Sequence, residues 1–213
     1  MTYCKWDKIS ELYKRYHDEE WGVPLHDDRI QFAFLMMEAM QCGLSWRIIL
    51  QKRETFRKCF DNFDYDKVAK YDESDITRIM GTAGMIKSHR KIEAVINNAK
   101  CFQKIREEFG SFCKFLWSYS DGKTILYEDH EKGWIPASNG LSERISADLK
   151  RRGFKFLGPT TVYSHLQACG IINDHGSDCE CYKKIIMMYP TIKKSRDNEK
   201  GVQYFGDKSA IFF

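Results

Sequence analysis

The sequence predicts an all-α fold. Apolar residues recur at helical spacing through most of the chain, strand character is confined to Thr124–Tyr127, and the glycines and prolines fall mainly between periodic segments.

Taken in order, Ser10 stands where an N-cap belongs, ahead of Leu12, Tyr13 and Tyr16 on one helical face. A second helix is expected over about 28–40, with Ile30, Ala33, Phe34, Met37 and Met40 on one side. Gly43 interrupts it, and Ser45 is placed to cap a third helix to about residue 60. That third helix is basic, carrying Arg47, Lys52, Arg53, Arg57 and Lys58. Two shorter helices are expected near 64–71 and 74–80, before the break Gly81-Thr82-Ala83-Gly84. A long helix over about 88–109 sets Ile92, Val95, Ile96, Ala99, Phe102 and Ile105 at core spacing, and an aromatic-rich helix over 111–119 follows. Its first residues, Lys87 to Lys91, read as a solvated, basic helix start, with phosphate contact as the second choice. Residues 120–140 lose periodicity and read as a surface loop. Ser142 is placed to cap a helix ending at Arg152, and Pro159 suits the N1 position of one running to Cys169. The expected division is a domain over 1–182 and a tail over 183–213, the tail either flexible or docked by its apolar end.

The totals narrow the class. A chain of 213 residues with 43% hydrophobic content can bury a full core. A net charge of +4 permits nucleic-acid binding without demanding it. No apolar leader or membrane-length run is visible, so an intracellular protein is expected, with reduced cysteines of which some are candidate metal ligands. Cys42, Cys59, Cys101, Cys113 and Cys169 read as small buried hydrophobes.

Three constellations carry chemistry. The first is Glu38-Ala39-Met40-Gln41-Cys42-Gly43-Leu44-Ser45-Trp46, which sets a carboxylate, a glycine, a leucine and an indole around a helix break. The second is Gly153-Phe154-Lys155-Phe156-Leu157-Gly158-Pro159-Thr160, where a turn between helices is followed by a helix start. Glycine permits positive φ and close approach of a phosphate, and the N–H groups of a helix start favour an anion. Lys150, Arg151, Arg152 and Lys155 concentrate charge nearby. An ordinary Gly-capped helix pair explains this stretch about as well on spacing alone. The third is Cys4 and His17 with His175 and Cys179: two thiolates and two imidazoles suit a closed tetrahedral zinc site. Cys181 competes with Cys179, and on spacing alone the four are more readily read as unrelated residues.

These stretches agree with one another. Together with Cys4-x-Trp6, Tyr16-His17-Asp18-x-Glu20-Trp21-Gly22-Val23-Pro24, Lys52-Arg53-Glu54, Gln167-Ala168-Cys169-Gly170 and Asn173-Asp174-His175, they closely resemble the 3-methyladenine DNA glycosylase I family of the helix–hairpin–helix DNA glycosylase superfamily, over about residues 1–182. The resemblance implies a helix–hairpin–helix over about 142–169 and a structural zinc on Cys4, His17, His175 and Cys179. It implies a base pocket with Glu38 as catalytic residue, Tyr16 and Trp46 against the base, and Trp6, Tyr13, Trp21 and Ser164 on its walls. It implies DNA contacts from Gly43, Leu44, Gly153, Lys155, Gly158 and Thr160, with Leu44 filling the gap left by the flipped base.

The implied activity is monofunctional excision of 3-methyladenine from double-stranded DNA by a monomer, with no membrane partner. The alternatives are a non-catalytic lesion binder and a glycosylase of broader range, for instance toward 7-methylguanine. Asp174, beside a proposed metal ligand, is expected in a supporting rather than a catalytic role. His26, His130 and His165 are given no role.

Overall fold

A computed structural model describes Cys4, residues 10–128 and residues 135–195. The element order is α1 Glu11–Glu19, α2 Asp28–Gln41, α3 Trp46–Cys59, α4 Tyr65–Val68, α5 Glu73–Gly81, α6 His89–Phe109, α7 Phe112–Trp117, β1 Thr124–Tyr127, α8 Gly140–Arg151, α9 Pro159–Ala168, α10 Glu180–Met188 and β2 Thr191–Lys194.

α2 is the hub. It packs against α3, α6, α7 and α9, and Phe32, Leu35, Met36 and Met40 are almost wholly buried. The expected one-sided stripe therefore understates it: α2 is covered on nearly all sides, and Ile30, placed on the stripe, is instead exposed at its first turn. Leu12 is likewise exposed, while Tyr13 and Tyr16 turn inward. Two carboxylates mark the start of α2. Asp27 accepts from the Ile30 N–H, and the Asp28 carboxylate accepts from the N–H groups of Phe112 and Cys113 and from Arg106. One residue thus helps satisfy the start of α7, a helix end that would otherwise carry orphan donors.

Several caps match their sequence signals. Ser10 accepts from Tyr13 N–H and Pro159 sits at the start of α9. Ser45 precedes α3 but makes no side-chain cap. The cap of α8 is Asn139, not Ser142. The two form a capping box, in which each side chain accepts from the other's backbone, so Ser142 sits one turn inside the helix.

The described residues of the expected surface loop are mostly interior. β1 is buried along its length and pairs in parallel with β2, with Thr124 opposite Thr191 and Tyr127 opposite Lys194. The segment after α9 docks on β1 as well, through Ile125 N–H to Ile171 O and Asn173 N–H to Ile125 O. Residues 136–139 are buried too, and Asn139 donates to the Tyr127 hydroxyl. The protein is mostly helical, with this small two-stranded sheet joining residues 124–127 to the stretch beyond residue 183. Among the described residues, no helix is long and apolar enough to cross a membrane.

Candidate active site and metal cluster

The last turn of α2 carries Glu38, and α3 begins at Trp46 after the break. Gly43 makes the break possible: its φ of +78° is left-handed, and it is exposed with open space where a Cβ would stand. Leu44 beside it is half-buried against the core rather than a fully exposed tip.

Glu38 is 4% exposed, and its Oε2 has no hydrogen-bond partner. Burial pushes its carboxyl up to about 8. The Trp46 indole Nε1 is also buried without a partner. The Tyr16 ring lies 5.5 Å from Trp46 and stacks at 6.3 Å on Phe34. Burial, and next the nearby Glu38, hold the Tyr16 hydroxyl well above its ordinary pKa. Burial also raises Tyr13, while the backbone and charge of Arg47, next to Trp46, pull it down. A buried acid with an unpaired oxygen, and a buried indole donor without a partner, are each costly unless a polar ligand completes them.

Other expected residues divide. Trp21 is buried, but its ring packs edge-on to His175 at 4.5 Å, which puts it against the candidate metal cluster described below. Ser164 is half-buried on α9. Trp6 and His130 lie outside the described residues. His26 stacks on Trp117, and His165 is a core histidine whose burial drops its pKa to about 3. An open cleft of about 960 Å³ between α1, α2 and α3 reaches Tyr16 and Phe34 but neither Glu38 nor Trp46. The buried unpaired groups therefore mark the candidate pocket better than the open volume does.

Two supporting features are not among the residues expected from sequence. Phe34 backs Tyr16, and Arg53 lies 5.7 Å over the Tyr16 ring while donating from Nη1 to both Glu20 oxygens at 2.7 and 2.8 Å. A signal for the second exists in principle, since Glu20 and Arg53 both stand in the motif stretches that carry the resemblance.

The turn between α8 and α9 has Gly153 at φ +92° and Phe156 at +57°, whereas Gly158, the N-cap of α9, has φ −70°. Gly158 therefore needs no left-handed freedom. What glycine leaves there is room, since nothing lies within 4 Å of where a Cβ would stand, and Gly158, Pro159 and Thr160 are exposed. The expected concentration of charge is reduced. Arg151 pairs with Asp148, and Arg152 pairs with Glu108 and Asp148 while covering Phe109 and Phe115. Lys150 and Lys155 remain exposed.

Cys4, His17, His175 and Cys179 converge, all four ligand atoms within 4.8 Å of one another. His175 Nδ1 is 3.2 Å from His17 Nε2 and 3.7 Å from each sulfur, and Cys179 Sγ is 3.6 Å from His17 Nε2. Tetrahedral zinc with ordinary Zn–N and Zn–S bonds has ligand–ligand edges of about 3.3–3.8 Å. The outer nitrogens are already engaged: His175 Nε2 donates to Trp21 O at 2.9 Å, and His17 Nδ1 is 2.7 Å from Asp18 Oδ1. Each ring thereby turns its other nitrogen to the centre. Cys181 is outside this set, in an overlapping trio with His17 and Asp18. Asp174 is buried and accepts from the Tyr163 hydroxyl at 2.6 Å and from Gln167 at 2.9 Å, tying the metal-side loop to α9.

Known proteins resemble this chain over most of its length. A family model described as methyladenine glycosylase matches residues 6–183. DNA-3-methyladenine glycosylase 1 of Escherichia coli (strain K12) is 41% identical over 182 residues, covering 85% of this chain and 97% of the relative. A Y16F form of 3-methyladenine DNA glycosylase I in complex with 3-methyladenine superposes with a TM-score of 0.79 at 39% identity, covering 84% of this chain and 97% of that one. An E38Q mutant of the Staphylococcus aureus enzyme gives the same TM-score, identity and coverage. With a match spanning most of its length and relatives this similar, the chain belongs to the methyladenine glycosylase family.

Proposed function

We propose that the protein is a DNA-3-methyladenine glycosylase that hydrolyses the N-glycosidic bond of 3-methyladenine in alkylated DNA, as the first step of base-excision repair. The observation that carries the proposal is the buried Glu38 carboxyl, one oxygen unpaired, near Tyr16, whose ring lies 5.5 Å from that of Trp46. Residues 1–182 form the glycosylase domain in this reading, with the stretch from 183 as an appendage. The protein acts on double-stranded DNA as a monomer.

A base inside a duplex is out of reach, so the damaged nucleotide must be turned out of the stack. Leu44, on the exposed break after α2, enters the space it vacates, with Gly43 allowing the backbone to approach. The exposed start of α9 at Gly158 and Thr160, with Lys155, holds a phosphate through N–H groups and charge. N3-methylation leaves the attached adenine cationic. The Trp46 and Tyr16 rings attract a planar cation, Glu38 complements it, and Tyr13 closes the wall. Trp6 and Ser164 are assigned to the same pocket, and Trp21 is shared with the metal cluster. Water forms a bond to C1′ as the C1′–N9 bond breaks; the bonding pair leaves with the purine, neutralising it, and the water proton passes to solvent. No lysine adduct is involved, so the strand stays intact.

The four-residue cluster holds zinc in this reading. The donor set and edge lengths fit it, and four protein ligands leave no open position for water. Its work is structural: it fastens Cys4 and α1 to the segment before α10.

The test is base release from randomly N-methylated duplex DNA. Free 3-methyladenine with little 7-methylguanine supports the proposal. Release of both keeps a glycosylase of broader range. Binding without release replaces it with a lesion-binding protein.

A further inference from the structure

α6 carries a row of polar side chains that the pocket does not use. Lys91, expected as part of a solvated helix start, is half-buried, and its ammonium donates to Met40 O and Cys42 O, both at 2.7 Å. These are carbonyls at the C-terminal end of α2, where the helix dipole favours a cation. Burial lowers the pKa of this amine. Lys91 therefore clamps the turn that carries Gly43 and Leu44.

Seven residues along, roughly 10 Å up the same face of α6, Asn98 is fully buried. It makes a reciprocal pair with the hairpin backbone: Nδ2 donates to Lys155 O at 3.0 Å, and Oδ1 accepts from Lys155 N–H at 2.8 Å. Asn97 beside it donates to Gly153 O at 2.8 Å. The third side of the triangle is direct, since Cys42 Sγ lies 3.7 Å from both Phe156 O and Thr161 Oγ1. Turn and hairpin are thus bonded to one rigid helix and to each other.

We infer that Lys91, Asn97 and Asn98 are positioning residues that make α6 a spacer, fixing the register between the Gly43–Leu44 turn and the Gly153–Gly158 hairpin so that gripping a phosphate places the leucine against the right base step. The inference rests on the reading that both elements touch DNA. An ordinary structural role would be indifferent to the form of the substrate. A spacer matters only when turn and hairpin engage one duplex together.

The experiment compares wild type, Lys91→Met, Lys91→Arg, Asn97→Ala and Leu44→Ala in three assays: 3-methyladenine release from methylated duplex, release from methylated single strands, and affinity for free 3-methyladenine. Thermal denaturation checks folding. Lys91→Met is expected to lose about 10-fold or more in kcat/KM on duplex, the scale of charge-assisted bonds lost in the productive complex. Single-strand release should fall less, and free-base affinity should stay within about 2-fold. Lys91→Arg, which keeps a cationic donor, should restore much of the loss. Adding Lys91→Met to Leu44→Ala should cost less than the two losses multiplied.

Asn97→Ala removes one bond at a half-buried site and should show the same pattern more weakly, which keeps the test decisive if Lys91→Met fails to fold. Wild-type duplex release in both Lys91→Met and Asn97→Ala, beside a defective Leu44→Ala, overturns the spacer alone. Equal losses in all three assays overturn it too, in favour of a general structural role. Wild-type duplex release by Leu44→Ala removes the wedge reading and the spacer with it.

Discussion

Glu38→Gln should make the protein more stable as it makes it less active, and the gain should grow with pH. The carboxyl is buried with one oxygen unpaired, and burial carries its pKa from 4.5 to about 8. A raised acid favours folding only while it is protonated. Its contribution is intact below about pH 4.5 and is lost as pH rises to about 8, where the unfolded chain has already ionised and the folded one has not. Working the two titrations through, the wild type should lose about 2.5 kcal/mol of stability from this group between about pH 5 and pH 7. The glutamine variant carries no such term. Its buried amide has its own cost, but that cost is independent of pH and cancels from the difference. Urea denaturation of both proteins across this range measures it directly. A stability difference flat with pH refutes the reasoning, because Glu38 would then be ionised in the folded protein and matched by a partner. Loss of base release in the same variant separates the functional part.

Other expectations follow from the same geometry. For wild type, kcat/KM on methylated DNA should climb with near unit slope below about pH 8 and level off above it, since a cationic base selects the carboxylate form; a flat kcat/KM profile over this range counts against Glu38 as the complementing group. Cys179→Ala should lose bound zinc and stability, whereas Cys181→Ala should retain the metal, as the four-atom cluster excludes Cys181; metal analysis of the purified variants decides. Gly22→Ala should weaken metal binding without touching a ligand. A Cβ there would stand 2.8 Å from His175 Nε2 on a backbone at φ +80°, so a melting temperature and zinc content like wild type would contradict the account.

The helices were legible because burial on one face leaves a periodic trace, and caps such as Ser10 and Pro159 mark where the trace begins. The strand pairing was not. All four residues of β1 are buried, so alternation vanishes, and its partner lies 67 residues on at register Thr124 to Thr191. Ser142 reads as the cap of α8 because it shares a reciprocal capping box with Asn139, the true cap. Charge was misjudged wherever a partner came from elsewhere in the chain, as with Arg152 and Glu108, or Lys91 and the end of α2. Cys4 and His175 of the candidate metal cluster stand 171 positions apart, so spacing could not unite the four residues and only the resemblance did. Asn98 is the clearest lesson. It sits at core spacing between Val95 and Phe102, and a polar residue there with a matching backbone partner identifies a helix that holds something other than core.

Under the proposed function, the raised Glu38 pKa bears on how the pocket would tell a damaged base from the adenine that surrounds it. At neutral pH the free pocket holds mostly the neutral acid. A neutral adenine meets that acid and gains a hydrogen bond at most, worth about 1 kcal/mol net. A cationic base makes ionisation worthwhile: removing the proton at about pH 7 costs roughly 1.4 kcal/mol for a group at about 8. A carboxylate about 4 Å from a unit positive charge returns about 4 kcal/mol at an effective dielectric of about 20. The attraction wins by about 2.5 kcal/mol, and the Trp46 and Tyr16 faces add about 0.5–2 kcal/mol for the cation. Set against the hydrogen bond open to adenine, the advantage is of the order of 2–4 kcal/mol, or about 30-fold to 1000-fold. A carboxylate held permanently ionised would attract the cation more strongly, but it would need a resident partner, and that partner would have to be displaced by every base that entered. Leaving the acid unpaired and protonated makes the proton the only thing the damaged base has to displace.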